Sequence, residues 1–327
     1  MNNENNLNII RFSLAYIVFI SHFIFLNNIP FHNIIFEELA TLAVNTFFLI
    51  SGLLITRSYL RRKSIIDFYK KRVLRIFPAY YLMLFVLLIF TFIKSNAISF
   101  NNETFSYFFY NSIFLNFMNP VNPYLFIENF SNITNGSLWT IKIEICLYLI
   151  TPLLLKGINR NLSKFLFLII LSSVWFIYFS NHENNLLKSL AVQFPGQLRF
   201  FLTGSLIYLY FEKIKIDLLK IIILIFIACV TYIYMRFLFI LFQPLVLGGI
   251  IVYFGLKMKK ISYIKSDVSY GFYLFHFPII QFFISKNNYE LSLAYIFLIE
   301  TFVIFVFSFC SWNLIEKKLL KQKKHQI

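Results

Sequence analysis

Cysteine, glycine, proline and carboxylate are all scarce in this chain, with 3 Cys, 9 Gly, 8 Pro and 14 Asp plus Glu among 327 residues. Cysteines at 146, 229 and 310 form no CxxC pair and are odd in number, which argues against a disulfide framework and a structural zinc site. Histidines at 22, 32, 182, 276 and 325 show no metal-ligand spacing, so no metal is expected. A Gly-rich phosphate loop is missing, as is a GxSxG nucleophile elbow. No stretch reads as a soluble domain. No pair of related halves is found either, which argues against many transporter folds.

What the chain has instead is apolar sequence. Hydrophobic residues make up 59% and charged residues 13%, and the mean hydropathy is +0.73. That is more apolar surface than a soluble chain of this length can hide in a core, so lipid is the expected solvent. Apolar runs long enough to cross about 30 Å of hydrocarbon as helix lie near 7–27, 39–57, 78–94, 138–155, 164–180, 194–211, 218–235, 237–256, 268–285 and 291–314. The expected fold class is an all-α integral membrane protein with about ten transmembrane helices.

Lysine and arginine placement sets the orientation, because loops on the cytoplasmic side are the basic ones. With the N-terminus inside, cytoplasmic segments hold the clusters at 57–75, 156–164, 213–220, 257–265 and 317–324, and outer segments hold only Lys94, Lys188, Arg236 and Lys286. Both termini are therefore expected in the cytoplasm, with a single transmembrane domain over 1–316 and a short basic tail over 317–327. The net charge of +16 then reads as a topology signal, and no nucleic-acid partner is expected. The first apolar run is too long for a signal peptide, carries Arg11 and lacks a small-x-small cleavage site before Asn27, so it is expected to stay. The Asn-, Phe- and Tyr-rich stretch from about 94 to 136 is expected outside, as an aromatic cover over an external opening.

Ionisable residues inside the apolar runs are expensive there and mark function or a structural pair. Arg11 and His22 share the first run. Eleven residues at about 100° each return both side chains to one helix face, about 16 Å apart along the axis. An Arg that anchors the helix at the headgroups and a His bonded to a neighbouring helix are the structural alternatives. Arg72 and Arg75, at i and i+3 on an amphipathic helix running into Pro78, can clamp one phosphate, or can serve as ordinary inside charges. Glu144 lies in the fourth run in a polar and aromatic stripe with Ser137, Trp139, Thr140 and Tyr148. Lys142 points to nearly the opposite side, and an interhelical pair of Glu144 with Arg199 is the structural alternative. Ser51 and Gly52 read as a site of close helix approach. His276, two residues before Pro278, reads as a cap or kink, and Glu300 has no motif around it.

These features fall in motifs. FFLISGLLI at 47–55, FYKKRVLRIFPAYYL at 68–82, SLWTIKIEICLYLITPLLL at 137–155, YGFYLFHFPII at 270–280 and WNLIEKKLLK at 312–321, together with Arg11 and His22, follow one another in an order that resembles the membrane acyltransferase-3 family of O-acyltransferases. The resemblance covers nearly the whole chain, in the stand-alone form without an appended extracytoplasmic domain. It implies a multi-pass enzyme of the plasma membrane that moves an acyl group, commonly acetyl, from an acyl-coenzyme A to a hydroxyl of a cell-surface carbohydrate, free or lipid-linked. No permanently bound cofactor is expected. The expected partners are the acyl-CoA donor, the carbohydrate acceptor and membrane lipids.

On that resemblance His22 is the expected general base, since imidazole can take the hydroxyl proton near neutral pH. Arg11, Arg72 and Arg75 are the expected donor-binding residues, with Arg11 and His22 at two ends of a donor channel. Glu144 is expected to orient His22 or to meet the acceptor, and Ser137, Trp139 and Tyr148 to bind the acceptor. The chain departs from the family pattern at Ala43, Asn45, Lys142 and Ile145, which leaves the identity of the acceptor open. A transporter or flippase of a lipid-linked saccharide or small amphiphile is the alternative, with Arg11, His22, Glu144 and Arg199 lining its path.

Overall fold

The computed structural model describes residues 5–30, 34–95, 101–261, 266–286 and 291–321. His32, Lys265, Lys323, Lys324 and His325, and with them most of the basic tail, lie outside the described residues. Among the described residues every regular element is helical. In chain order these are α1 (Leu7–Leu26), α2 (Ile34–Leu60), α3 (Ile65–Ser95), α4 (Asn102–Ser112), α5 (Trp139–Ile158), α6 (Leu162–Ser180), α7 (Asn185–Ser189), α8 (Phe194–Tyr210), α9 (Leu218–Tyr234), α10 (Arg236–Ile250), α11 (Ser269–Lys286), α12 (Leu293–Ser311) and α13 (Lys317–Lys321). A 3-10 turn, Gly136–Leu138, leads into α5, and π-helical turns at Ile251–Lys257 and Trp312–Glu316 extend α10 and α12.

Among the described residues seven helices are long and apolar enough to cross a membrane: Leu7–Leu26, Ile34–Leu60, Ile65–Lys94, Gly136–Ile158, Leu162–Ser180, Arg236–Lys257 and Leu293–Leu320. The other three expected runs also form helices, α8, α9 and α11. They fall short for physical reasons: α9 is short, while α8 and α11 are buried along most of their length and carry polar side chains such as Gln197, Arg199, His276 and Gln281 in their interiors. The amphipathic helix expected to end at Pro78 does not end there, because α3 continues through the proline as one helix.

The described residues form two compact units, each assembled from distant segments. The first takes the N-terminal residues to Ile10, Val44–Tyr69 and Ile143–Tyr263. Its interior is closed by glycine. A Cβ on Gly52 of α2 would stand 1.9 Å from the Phe201 carbonyl oxygen of α8, and one on Gly204 of α8 would stand 1.9 Å from the Leu49 carbonyl oxygen, so only glycine lets these backbones meet. Thr56 and Ser205 hydrogen-bond beside that contact at 2.9 Å. Ile158, Phe165, Ile169 and Leu202 pack the α5–α6–α8 side of this unit.

The second unit takes Arg11–Ala43, Lys70–Lys142 and the chain from Ile264. Its spine is α1 against α11, with Phe12, Tyr16 and Phe19 of α1 ringed around Phe272 of α11. Residues 101–135 of the Asn-, Phe- and Tyr-rich stretch fold in this unit around α4 and amide side chains. Asn122 is fully buried and bonds Thr91, Asn129 donates to both the backbone and side-chain oxygens of Gln281, and the Gln281 amide donates to the Ser131 and Ile133 carbonyls, which ties the stretch to α11.

Candidate functional site

The polar face of α1 has its counterpart on α11. Between Arg11 and His22 the same face presents Ala15 and Val18, both buried, so the helix packs closely over two turns and opens to polar partners at each end. Arg11 pairs with Asp267, just before α11, and His22 pairs with His276, nine residues further along. The contacts rise together along both helices, so α1 and α11 run in the same direction.

At the Arg11 end two guanidiniums converge on one carboxylate oxygen. Asp267 Oδ2 accepts from Arg11 at 2.5 Å and from Arg75 at 2.7 Å, while its Oδ1 accepts from the Ser269 hydroxyl at 2.7 Å. Arg75 also lies 3.7 Å from Glu316, and its guanidinium sits near the rings of Tyr270 and Trp312. Burial alone would raise the Asp267 carboxyl, but the two guanidiniums and the Ser269 hydroxyl outweigh it and hold the group well below the ordinary carboxylate range. Arg72 is half-buried three residues before Arg75 on α3. Asp267 and Glu316 were not legible as site residues: the first lies just outside an apolar run and the second in a tail motif rich in lysine.

At the other end His22 Nδ1 and His276 Nε2 are 2.8 Å apart, with the rings 11° from parallel and their centroids 5.0 Å apart. Phe277 closes on His22 edge-on at 5.1 Å. His276 is therefore more than the expected cap or kink. The effect of Pro278 is handled elsewhere: a proline has no N–H for the carbonyl four residues back, and that carbonyl, Leu274, accepts from Asn135 Nδ2 at 3.0 Å.

Asn135 also fixes the start of α5. Its Oδ1 accepts from the Ser137 backbone N–H at 3.1 Å and from the Ser137 hydroxyl at 2.7 Å. Thr140 Oγ1 meets Tyr273 OH at 3.0 Å. Ser137 is fully buried with its hydroxyl engaged in this junction. Trp139 is half-buried at the first position of α5.

Glu144 belongs to the first unit. It accepts a short hydrogen bond from Tyr148 and one from Ser51 at 3.4 Å. Among the described residues Glu144 makes no ion pair with Arg199. Arg199 is buried, lies over the rings of Phe176 and Phe200, and donates to the Ile240 carbonyl at 3.4 Å. Glu300 is fully buried on α12, and among the described residues neither carboxyl oxygen has a hydrogen-bond partner.

Residues 4–315 match a family model described as an acyltransferase domain. An O-acetyl transferase of Shigella phage Sf6 is 26% identical over 343 residues, covering 100% of this chain and 99% of that protein. Nodulation protein 10 of Rhizobium leguminosarum bv. viciae is 32% identical over 123 residues, 35% of this chain and 32% of that protein. No solved structure matches the chain.

Proposed function

This chain belongs to the acyltransferase-3 family, and from that premise we propose that it is a plasma-membrane O-acetyltransferase, taking acetyl from acetyl-coenzyme A and placing it on a hydroxyl of a cell-surface or lipid-linked carbohydrate. Full-length similarity to a protein named O-acetyl transferase supports acetyl as the group moved. The observation that carries the reading is the pairing along α1 and α11, a guanidinium pair at one end and an imidazole pair at the other.

A coenzyme A thioester is matched to such a stripe, with anionic phosphates at one end and a reactive carbonyl at the end of a long arm. Arg11 and Arg75, with Arg72 a turn before Arg75, are the proposed donor-binding groups. Their two guanidiniums share Asp267, so a phosphate binds by exchanging with that carboxylate or by sitting beside it. His22 is the proposed general base at the thioester end. Glu144 and Tyr148 are proposed to meet hydroxyls of the acceptor, and Trp139 to offer a flat apolar face to a sugar ring. No metal or resident cofactor is needed in this scheme.

Thermal unfolding of the detergent-purified protein with acetyl-coenzyme A and with coenzyme A tests the reading. Donor at about one hundred times its dissociation constant should stabilise the native state by about 2.7 kcal/mol. That gain should vanish in Arg75→Ala and persist in His22→Ala, which should in turn lose transfer of acetyl to alkali-labile esters on membrane polysaccharide. Folded protein that responds to neither thioester nor free coenzyme A would sink the proposal and favour transport of a saccharide carrier.

A further inference from the structure

We propose that His276 is the positioning residue of the transfer step, accepting a hydrogen bond from His22 Nδ1–H and so holding His22 in the tautomer whose Nε2 carries a free lone pair. The inference rests on the acyl-transfer reading above and adds to it the group that makes His22 a base.

The geometry is that of a bond and not of a ring stack. With the planes 11° apart, a 2.8 Å Nδ1–Nε2 separation and centroids at 5.0 Å place the two imidazoles end to end, as an in-plane lone pair requires. His22 keeps part of its surface open, whereas His276 is fully buried behind it. His22 is thus the ring that can reach a substrate, and His276 the one that acts through it. Among the described residues His276 Nδ1 meets no side-chain partner, and the ring faces the backbone of Phe272 and Tyr273 one turn back, so the bond to His22 is the side-chain contact that orients the pair. The carbonyl of Leu274, two residues back on α11, accepts from Asn135 Nδ2, and the Tyr273 hydroxyl, on the turn before His276, meets Thr140 Oγ1. His276 is consequently fixed on a clamped helix turn, the kind of support a reacting side chain needs.

A neutral imidazole has one N–H, and the nitrogen that bears it is set by the bond the other makes. With Nδ1–H committed to His276, His22 Nε2 takes the proton of the acceptor hydroxyl as its oxygen forms the new C–O bond to the acyl carbon. The C–S bond then breaks, the thiolate leaves with the electron pair, and the proton on His22 Nε2 passes to sulfur. No electron transfer is involved. The opposite tautomer pair, with His276 Nε2–H as donor, would place a proton on His22 Nε2 and leave no base.

Two arms test this on the full-length chain. In membranes, transfer of radiolabelled acetyl from acetyl-coenzyme A to alkali-labile polysaccharide ester should fall about 10²-fold in kcat in His276→Leu, with KM for acetyl-coenzyme A unchanged. His276→Gln, whose amide oxygen can accept from Nδ1–H, should recover a large part of that loss. Unchanged kcat in His276→Leu, or a Gln variant no better than Leu, would overturn the positioning role while wild-type transfer left the acyltransferase reading standing. Absent transfer by wild type would count against that reading itself. The second arm needs neither activity nor a variant that folds: in detergent-solubilised, 15N-histidine-labelled wild type, the His22 resonances should report Nδ1 protonated and Nε2 bare. A protonated His22 Nε2 would overturn the inference.

Discussion

Asp267 balances the guanidinium pair, and its charge sets an acid limb on stability. The folded carboxyl is held well below its ordinary value, outweighing the upward pull of burial through Arg11 and Arg75. Its contribution is therefore complete above the unfolded pKa of about 3.9 and is lost as pH falls from there through the folded pKa. Asp267→Asn should flatten that acid limb in a series of melting temperatures against pH. At neutral pH the same change removes the carboxylate shared by two half-buried guanidiniums and should cost about 2 kcal/mol. If phosphate exchanges with this carboxylate, Asp267→Asn should also show a larger thermal shift with acetyl-coenzyme A than wild type, and an equal or smaller shift would argue that the donor binds beside it. Glu300 predicts the opposite sign. A buried carboxyl without a partner is a cost, so Glu300→Met should raise stability by about 1 to 3 kcal/mol if the residue has no role in transfer; a variant that melts higher yet loses transfer would identify Glu300 as functional. Arg11 and His22 were legible because an ionisable residue inside an apolar run stands out. Their partners were not, because pairing across about 255 residues of sequence leaves no local trace.

Helix contacts show the same division. Ser51–Gly52 reads from sequence as a place of close approach, and Gly52 does meet α8, yet the reciprocal glycine, Gly204, carried no signal of its own. With the Phe201 and Leu49 carbonyl oxygens each 1.9 Å from the site of a new Cβ, neither backbone can give way cheaply. Gly52→Ala and Gly204→Ala should each destabilise by about 3 kcal/mol, at or above the usual upper range for overpacking, whereas Gly157→Ala, with nothing within 4 Å, should be close to neutral or stabilising. Comparable melting temperatures for all three would refute the packing assignment. Asparagine was harder to interpret. Its abundance resembles genome base composition, but Asn101, Asn161 and Asn184 accept from backbone N–H groups at the starts of α4, α6 and α7, and Asn135 does so for the turn before α5. A cap is visible in sequence only once the helix start is known, and here the boundaries are blurred by continuous apolar sequence.

At the scale of the whole chain, the ten apolar runs and the basic loops of the sequence predict a topology that length and hydropathy of single helices do not. Seven helices alone would put 188 and 213 on the same side, because α8 would not cross, and would put 213 and 257 on opposite sides. Ten crossings reverse both. Two contacts within the first unit favour the second pattern: Lys257 Nζ donates to the Ile214 carbonyl at 2.7 Å, and Tyr210 OH donates to the Arg160 carbonyl at 2.6 Å; the Asn6 amide, which reaches the carbonyls of Phe254 and Lys259 at 3.1 Å, fits both patterns. The N-terminal segment and the loop near 214 thus each touch the segment at 254–259, and the loops near 160 and 210 touch each other, all at positions that the charge rule assigns to the cytoplasm. The burial of polar α8 by its neighbours explains how it could cross lipid despite Arg199, since a helix shielded by protein need not be apolar on every face. Cysteines introduced one at a time at 188, 213 and 257, in a background with the three native cysteines changed to serine, separate the alternatives in intact cells. A membrane-impermeant maleimide should label Lys188→Cys from outside, and Lys213→Cys and Lys257→Cys only after permeabilisation. Labelling of 213 from outside together with 188 would reduce the crossing count and turn the basic cluster at 213–220 outward, against the charge rule.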